Sequence, residues 1–172
     1  RPSEAKALQD ANLVIWMGED LTPWMKDTVE TLSSRASIMT LLKKEETTLL
    51  EFRDSALFEE HDHDDYGDQD HAHVAHDPHA WLSPENAKTW LNLIAAQLST
   101  ADPDNASTYF ANAVAALTEI DALMAEVSTL IDPIRGNSFI VFHDAYQYFE
   151  TVFDFPASGA ISLGDATDPS PA

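Results

Sequence analysis

The chain has 172 residues, with 30 acidic residues against 9 Lys and Arg, a formal net charge of −21, and no cysteine. That balance argues against a nucleic-acid binder, which needs cations to displace phosphate counterions, and against docking on anionic lipid. The lack of cysteine removes disulfide frameworks, thiolate zinc sites, iron–sulfur clusters and Cys nucleophiles. No apolar run approaches the roughly 18 residues that a membrane-spanning helix needs.

In chain order, residues 3–11 predict a helix, with Ser3 as a cap and Ala5, Leu8 and Ala11 at helical spacing. Leu13–Met17, closed by Gly18, reads as a short buried strand. Thr22 and Pro23 then suit the cap and first position of a helix running to about Leu32. Ile38–Thr40 forms another short strand, and residues 41–53 are ambiguous. Alternating strand and helix patterns point to an α/β lobe with a mainly parallel sheet.

Residues 54–78 have no apolar periodicity and predict an exposed, mobile loop. Charge and histidine concentrate here: residues 59–79 hold eight acids, no Lys or Arg, and six of the seven histidines. Ser83-Pro84-Glu85 then starts a helix to about Leu98, with Trp90, Leu91, Ile94 and Leu98 inward.

Asp102-Pro103 opens the longest helix, expected to continue to Ile131. Ala106, Phe110, Ala113, Leu117, Ile120, Met124, Val127 and Ile131 alternate spacings of four and three. This is also a coiled-coil seam, but few complementary charges flank it, so a strut packed along globular lobes is the preferred reading. Ser138–Phe142 predicts a second buried strand, Ala145–Phe153 a helix, and residues 160–163 a last strand. The chain starts at Arg1 and closes in a loop-like stretch, Gly164–Ala172, as expected of a processed or partial polypeptide.

The chemistry lies in the histidines. Neutral imidazole is a favoured ligand for zinc and also serves manganese, nickel, iron or copper. His79 stands at the entrance to a helix, where a buried Trp81 would steady its ring. His143 follows a strand directly, at the carboxyl end where open α/β sheets carry ligands. His61, His63, His71, His73 and His76 sit among aspartates in the loop and suit weaker cation capture, because ordering a mobile segment costs entropy. The sequence lacks a glycine-rich phosphate loop, a Gly-x-Ser-x-Gly elbow and a His-Glu-x-x-His helix. Acids are so frequent that a pair such as Asp144 and Glu150 carries no information about acid–base chemistry.

Several segments, in order, resemble one family: Arg1-Pro2-Ser3, Leu13-Val14-Ile15-Trp16-Met17-Gly18, the His/Asp-rich loop, Asp77-Pro78-His79-Ala80-Trp81-Leu82-Ser83-Pro84-Glu85 and Val141-Phe142-His143-Asp144-Ala145-Tyr146. They are similar to the metal-binding solute-binding proteins of bacterial ABC importers, in the zinc-binding, ZnuA-type branch. The resemblance implies an α/β fold of two lobes with mainly parallel sheets joined by a long rigid helix. Residues 1–101 would be part of the first lobe, with the acidic loop at 54–78. Residues 102–133 would be the connecting helix and 134–172 the start of the second lobe. It further implies that His79 and His143 match metal ligands from the two lobes. Other family ligands would fall upstream of Arg1 and beyond Ala172.

The implied activity is capture of Zn2+ as cargo in the periplasm by a monomer, and its delivery to a membrane permease, without turnover. Two other classes stand beside it: a metal-dependent hydrolase, for which the sequence supplies no general-base motif, and a coiled-coil interaction protein with a metal-sensitive loop. Manganese or another divalent metal is the alternative cargo.

Overall fold

The computed structural model describes residues 2–53, 55, 57, 58 and 76–162. The first helix, α1 (Pro2–Asp10), leads into β1 (Leu13–Trp16), which pairs in parallel with β2 (Ser37–Thr40), Val14 opposite Ile38 and Ile15 opposite Met39. Ser3 therefore lies inside α1 and does not precede it as a cap. Between the strands, Pro23–Met25 makes a 3-10 turn ahead of α2 (Lys26–Leu32). Thr22 does not cap with its side chain: its hydroxyl donates to the Gly18 carbonyl at 3.1 Å instead. Gly18 has φ +137°, and a Cβ there would lie 3.0 Å from the Thr40 methyl, so the exit from β1 requires glycine.

The ambiguous stretch after β2 becomes a 3-10 turn, Leu41–Lys43, followed by irregular chain tied to the next helix. The Thr47 hydroxyl donates to the Leu41 carbonyl at 2.7 Å and accepts the Trp90 indole N–H at 2.9 Å. Trp90 lies on α3 (Pro84–Ala101), which starts as its sequence dictates, Ser83 Oγ accepting the Asn86 N–H at 3.2 Å. Met39, Leu41, Leu42, Ala80, Trp90 and Tyr148 form the buried cluster that joins the β1–β2 unit to α3.

A 3-10 turn, Pro103–Asn105, precedes α4 (Ala106–Ile131), a 26-residue helix about 39 Å long. Its four–three seam is used within the chain. Ala113 packs near Leu91, Ile94 and Leu98 of α3, while Ile120, Met124 and Val127 face Leu82, Ala87, Phe149 and Phe153. Phe110, by contrast, is 46% exposed.

The remaining elements are β3 (Ile140–His143), α5 (Gln147–Phe153) and β4 (Gly159–Ser162), with β3 and β4 parallel. The expectation of a buried strand at residues 138–142 is corrected: Ile140 is 64% and Phe142 68% exposed. Among the described residues this sheet has two strands, and one face of β3 is uncovered. The architecture is α/β with parallel sheets, as the strand–helix alternation implies.

Residues 50, 51, 57 and 58 connect the segment ahead of His79 with the start of β4. Leu50 accepts the Asp77 N–H at 2.8 Å, Glu51 bridges His76, Leu57 bridges Gly159, and Phe58 N–H donates to Ser158 at 3.1 Å. Of the loop expected over 54–78, residues 54, 56 and 59–75 lie outside the described residues, while Asp77 and Pro78 are buried and so depart from that expectation.

Candidate metal centre

His79 begins a short 3-10 turn, His79–Leu82, directly ahead of α3. Asn86 fixes that turn: its amide donates to the Ala80 carbonyl at 3.1 Å and to the Thr48 carbonyl at 2.9 Å, and its oxygen accepts the Thr48 N–H. The turn is thus fastened to the chain that follows β2. Trp81 is 51% exposed, so the expected support of the His79 ring by a buried Trp is corrected.

The support is a carboxylate. Asp77 Oδ1 lies 2.6 Å from His79 Nδ1 and accepts the His79 backbone N–H at 2.8 Å. Asp77 Oδ2 accepts the Gln147 side-chain N–H at 2.6 Å, and the Asp77 carbonyl accepts the Tyr148 hydroxyl at 2.6 Å. Tyr148 in turn accepts the Leu50 N–H at 2.9 Å, and burial pushes its phenol up, so it stays a donor to Asp77. Burial works to raise the Asp77 carboxyl, but the His79 ring, the His79 N–H and Gln147 together hold it below the usual carboxylate range. An ionised Asp77 accepts the Nδ1 proton of His79 and directs the lone pair of the neutral ring to Nε2.

His143 is the last residue of β3, and its Nε2 lies 3.4 Å from His79 Nε2, from a position 64 residues away. The ring centroids are 5.1 Å apart and the planes cross at 72°. Two imidazole nitrogens on one tetrahedral zinc, each about 2.0–2.1 Å from the ion, stand about 3.3 Å apart. The pair therefore has the bite of a zinc chelate, with one ring oriented by a carboxylate behind it. Among the described residues, no group of three or more His, Asp or Glu side chains is placed to hold a metal ion together.

The other expected site residues distribute differently. His76 is exposed and bridges Glu51 at the root of the loop, one residue before Asp77. His61, His63, His71 and His73 lie outside the described residues. Asp144 and Glu150, uninformative as a sequence pair, both bind Arg53 and are buried. Sequence reasoning also did not single out Asp77, Gln147 and Tyr148. The one local signal was Asp77 two residues before His79, next to a proline that makes the turn.

The family profile described as "Zinc-uptake complex component A periplasmic" matches residues 1–172. The "High-affinity zinc uptake system protein ZnuA" of Paracoccus denitrificans (strain Pd 1222) is 46% identical over 188 residues, covering 100% of this chain and 58% of that protein. A crystal structure of ZnuA superposes with a TM-score of 0.76 at 25% identity, covering 99% of this chain and 58% of the other. A zinc-bound ZnuA lacking residues 138–173 of its own numbering superposes at 0.73 with 26% identity, covering 99% and 57%. The chain thus spans a little over half the length of these relatives. On the match along its full length, this chain belongs to the family of periplasmic zinc-uptake components, the ZnuA family.

Proposed function

We propose that the protein captures zinc as cargo in the periplasm and delivers it to the membrane permease of an ABC importer, with His79 and His143 as ligands through Nε2. The observation that carries this reading is the 3.4 Å separation of the two Nε2 atoms, with His79 backed by a buried Asp77. A carboxylate–imidazole pair raises ligand basicity and sets the ring before the ion arrives. Further ligands complete the ion's shell, since zinc takes four.

The division into lobes follows the same reading. Residues 1–101 belong to the first lobe, 102–133 form the connecting helix, and 134–172 belong to the second. His79 and His143 then come from opposite sides of a cleft, and binding holds the lobes together. The acidic loop raises the local cation concentration, and His61, His63, His71, His73 and His76 supply a weaker auxiliary site. Nothing in this scheme requires turnover: the ion enters and leaves unchanged.

The test is zinc stoichiometry and affinity of the native full-length protein, by competition against a chelator of known strength. Wild type should hold one zinc tightly, and His79→Ala or His143→Ala should each abolish that site. Tight binding that survives both substitutions overturns the ligand assignment. Zinc-dependent hydrolysis of ester or phosphate substrates, lost in the same variants, would favour the enzyme reading instead.

A further inference from the structure

The Arg53 guanidinium holds two buried carboxylates at once. Its Nε donates to both oxygens of Asp144, at 3.0 and 3.1 Å, and Nη2 also reaches Asp144. Its Nη1 and Nη2 donate to the two oxygens of Glu150, at 2.9 and 3.1 Å. The Asp144 and Glu150 side chains are 3% and 5% exposed, and that of Arg53 20%. The Phe58 ring covers the guanidinium carbon at 3.6 Å. Only a planar fork of donors can bind two carboxylates in this way; a lysine ammonium cannot.

The connections of the triad matter more than its strength. Asp144 is the residue after His143, and its N–H donates to Ser162 of β4 at 2.9 Å. Glu150 lies on α5 and also accepts the Ala157 N–H at 3.1 Å, so Arg53 closes the turn that leads away from His143. Three residues before Arg53, Leu50 binds the Asp77 N–H, and Glu51 accepts the Gln147 amide at 3.0 Å. Residues 50–53 are therefore a strap: one end holds the carboxylate behind His79, and the other holds the turn behind His143.

We propose that Arg53 is a positioning residue for the metal site, which keeps the His143 ring opposite His79 by binding Asp144 and Glu150 from the strap. The inference rests on the assignment of His79 and His143 as zinc ligands, and it adds a residue that touches neither ring. Without Arg53 two buried carboxylates face each other with no cation between them. The turn then opens, and the chelate must be assembled on binding at the expense of affinity.

Arg53→Met and Arg53→Lys in the native full-length protein test this against wild type. Zinc affinity is read by chelator competition, folding by the thermal transition of the metal-free protein. The approach of the rings is read as the nuclear Overhauser effect between His79 and His143 ring protons, again without metal. Arg53→Lys should fold, bind zinc about tenfold more weakly and lose the ring–ring signal; Arg53→Met should lose about 10- to 100-fold, the range for residues behind metal ligands. If Arg53→Met does not fold, Arg53→Lys decides. A folded Arg53→Lys that keeps either the ring–ring signal or wild-type affinity overturns the proposal, and so does failure of both variants to fold. Because the ring–ring signal needs no metal, wild type that binds no zinc would sink the transport reading while leaving this test standing.

Discussion

The Asp77 carboxylate accepts from both the ring Nδ1 and the backbone N–H of His79, at 2.6 and 2.8 Å. One oxygen thereby sets the tautomer of the imidazole and the conformation of the turn that carries it. Asp77→Asn keeps the shape but can present an N–H to Nδ1, which favours the wrong tautomer. Zinc affinity should fall about 10- to 100-fold with the fold intact, measured by chelator competition. Unchanged affinity would show that the carboxylate does not tune the ligand.

The same carboxylate makes stability depend on acid. Asp77 is held below its ordinary value in the folded protein, so it contributes stability that is fully present above the ordinary range, about pH 4. That contribution is lost as pH falls through the lowered value. The gap in thermal midpoint between wild type and Asp77→Asn should therefore be largest near neutrality and shrink below about pH 4.

Zinc binding should respond to pH in a higher window. Imidazole ligands must be neutral, and an ordinary imidazole titrates at about pH 6.5, so protons compete with the metal as pH drops through that range. Affinity measured at pH 7.5 should exceed that at pH 5 by more than tenfold. A flat profile between these values would count against histidine ligation.

Tyr148 holds Asp77 from behind, donating to its carbonyl and accepting the Leu50 N–H, at 2% exposure. Tyr148→Phe leaves both of those backbone groups short of a partner in a closed core. Denaturant unfolding should report a loss of about 1–3 kcal/mol. Zinc affinity should fall less than in Asp77→Asn, because the carboxylate–imidazole contact itself remains.

Deleting residues 59–75 tests whether zinc binding has two tiers. The tight site should stay within threefold of wild type, while weaker zinc equivalents disappear from a titration followed by calorimetry. Loss of the tight site in the deletion would show that the acidic loop supplies an essential ligand.

Local sequence determined much of this protein. Ser83-Pro84-Glu85 starts α3 because a hydroxyl cap, a fixed φ and an acid each suit a helix amino end. The short apolar runs at Leu13–Trp16 and Ile140–His143 form strands, and the four–three spacing over 106–131 forms one helix. His79 and His143 were legible as candidates from what flanks them. Burial was less legible: Trp81, Ile140 and Phe142 are apolar yet half or more exposed, because burial depends on which elements cover a face and not on the side chain alone.

Only the tertiary structure decided the site. The 3.4 Å between the imidazoles spans 64 positions, the Gln147–Asp77 bond spans 70, and the Arg53–Asp144 bond spans 91. Neither periodicity nor capping reaches that far along a chain. Such pairs are set by where the strap at residues 50–53 runs and how the elements close on it. The net charge of −21 belongs to the sequence and states only that cations are welcome. Which imidazoles stand at a chelating distance is fixed by packing, since a displacement of about 1 Å at either ring would lose that spacing.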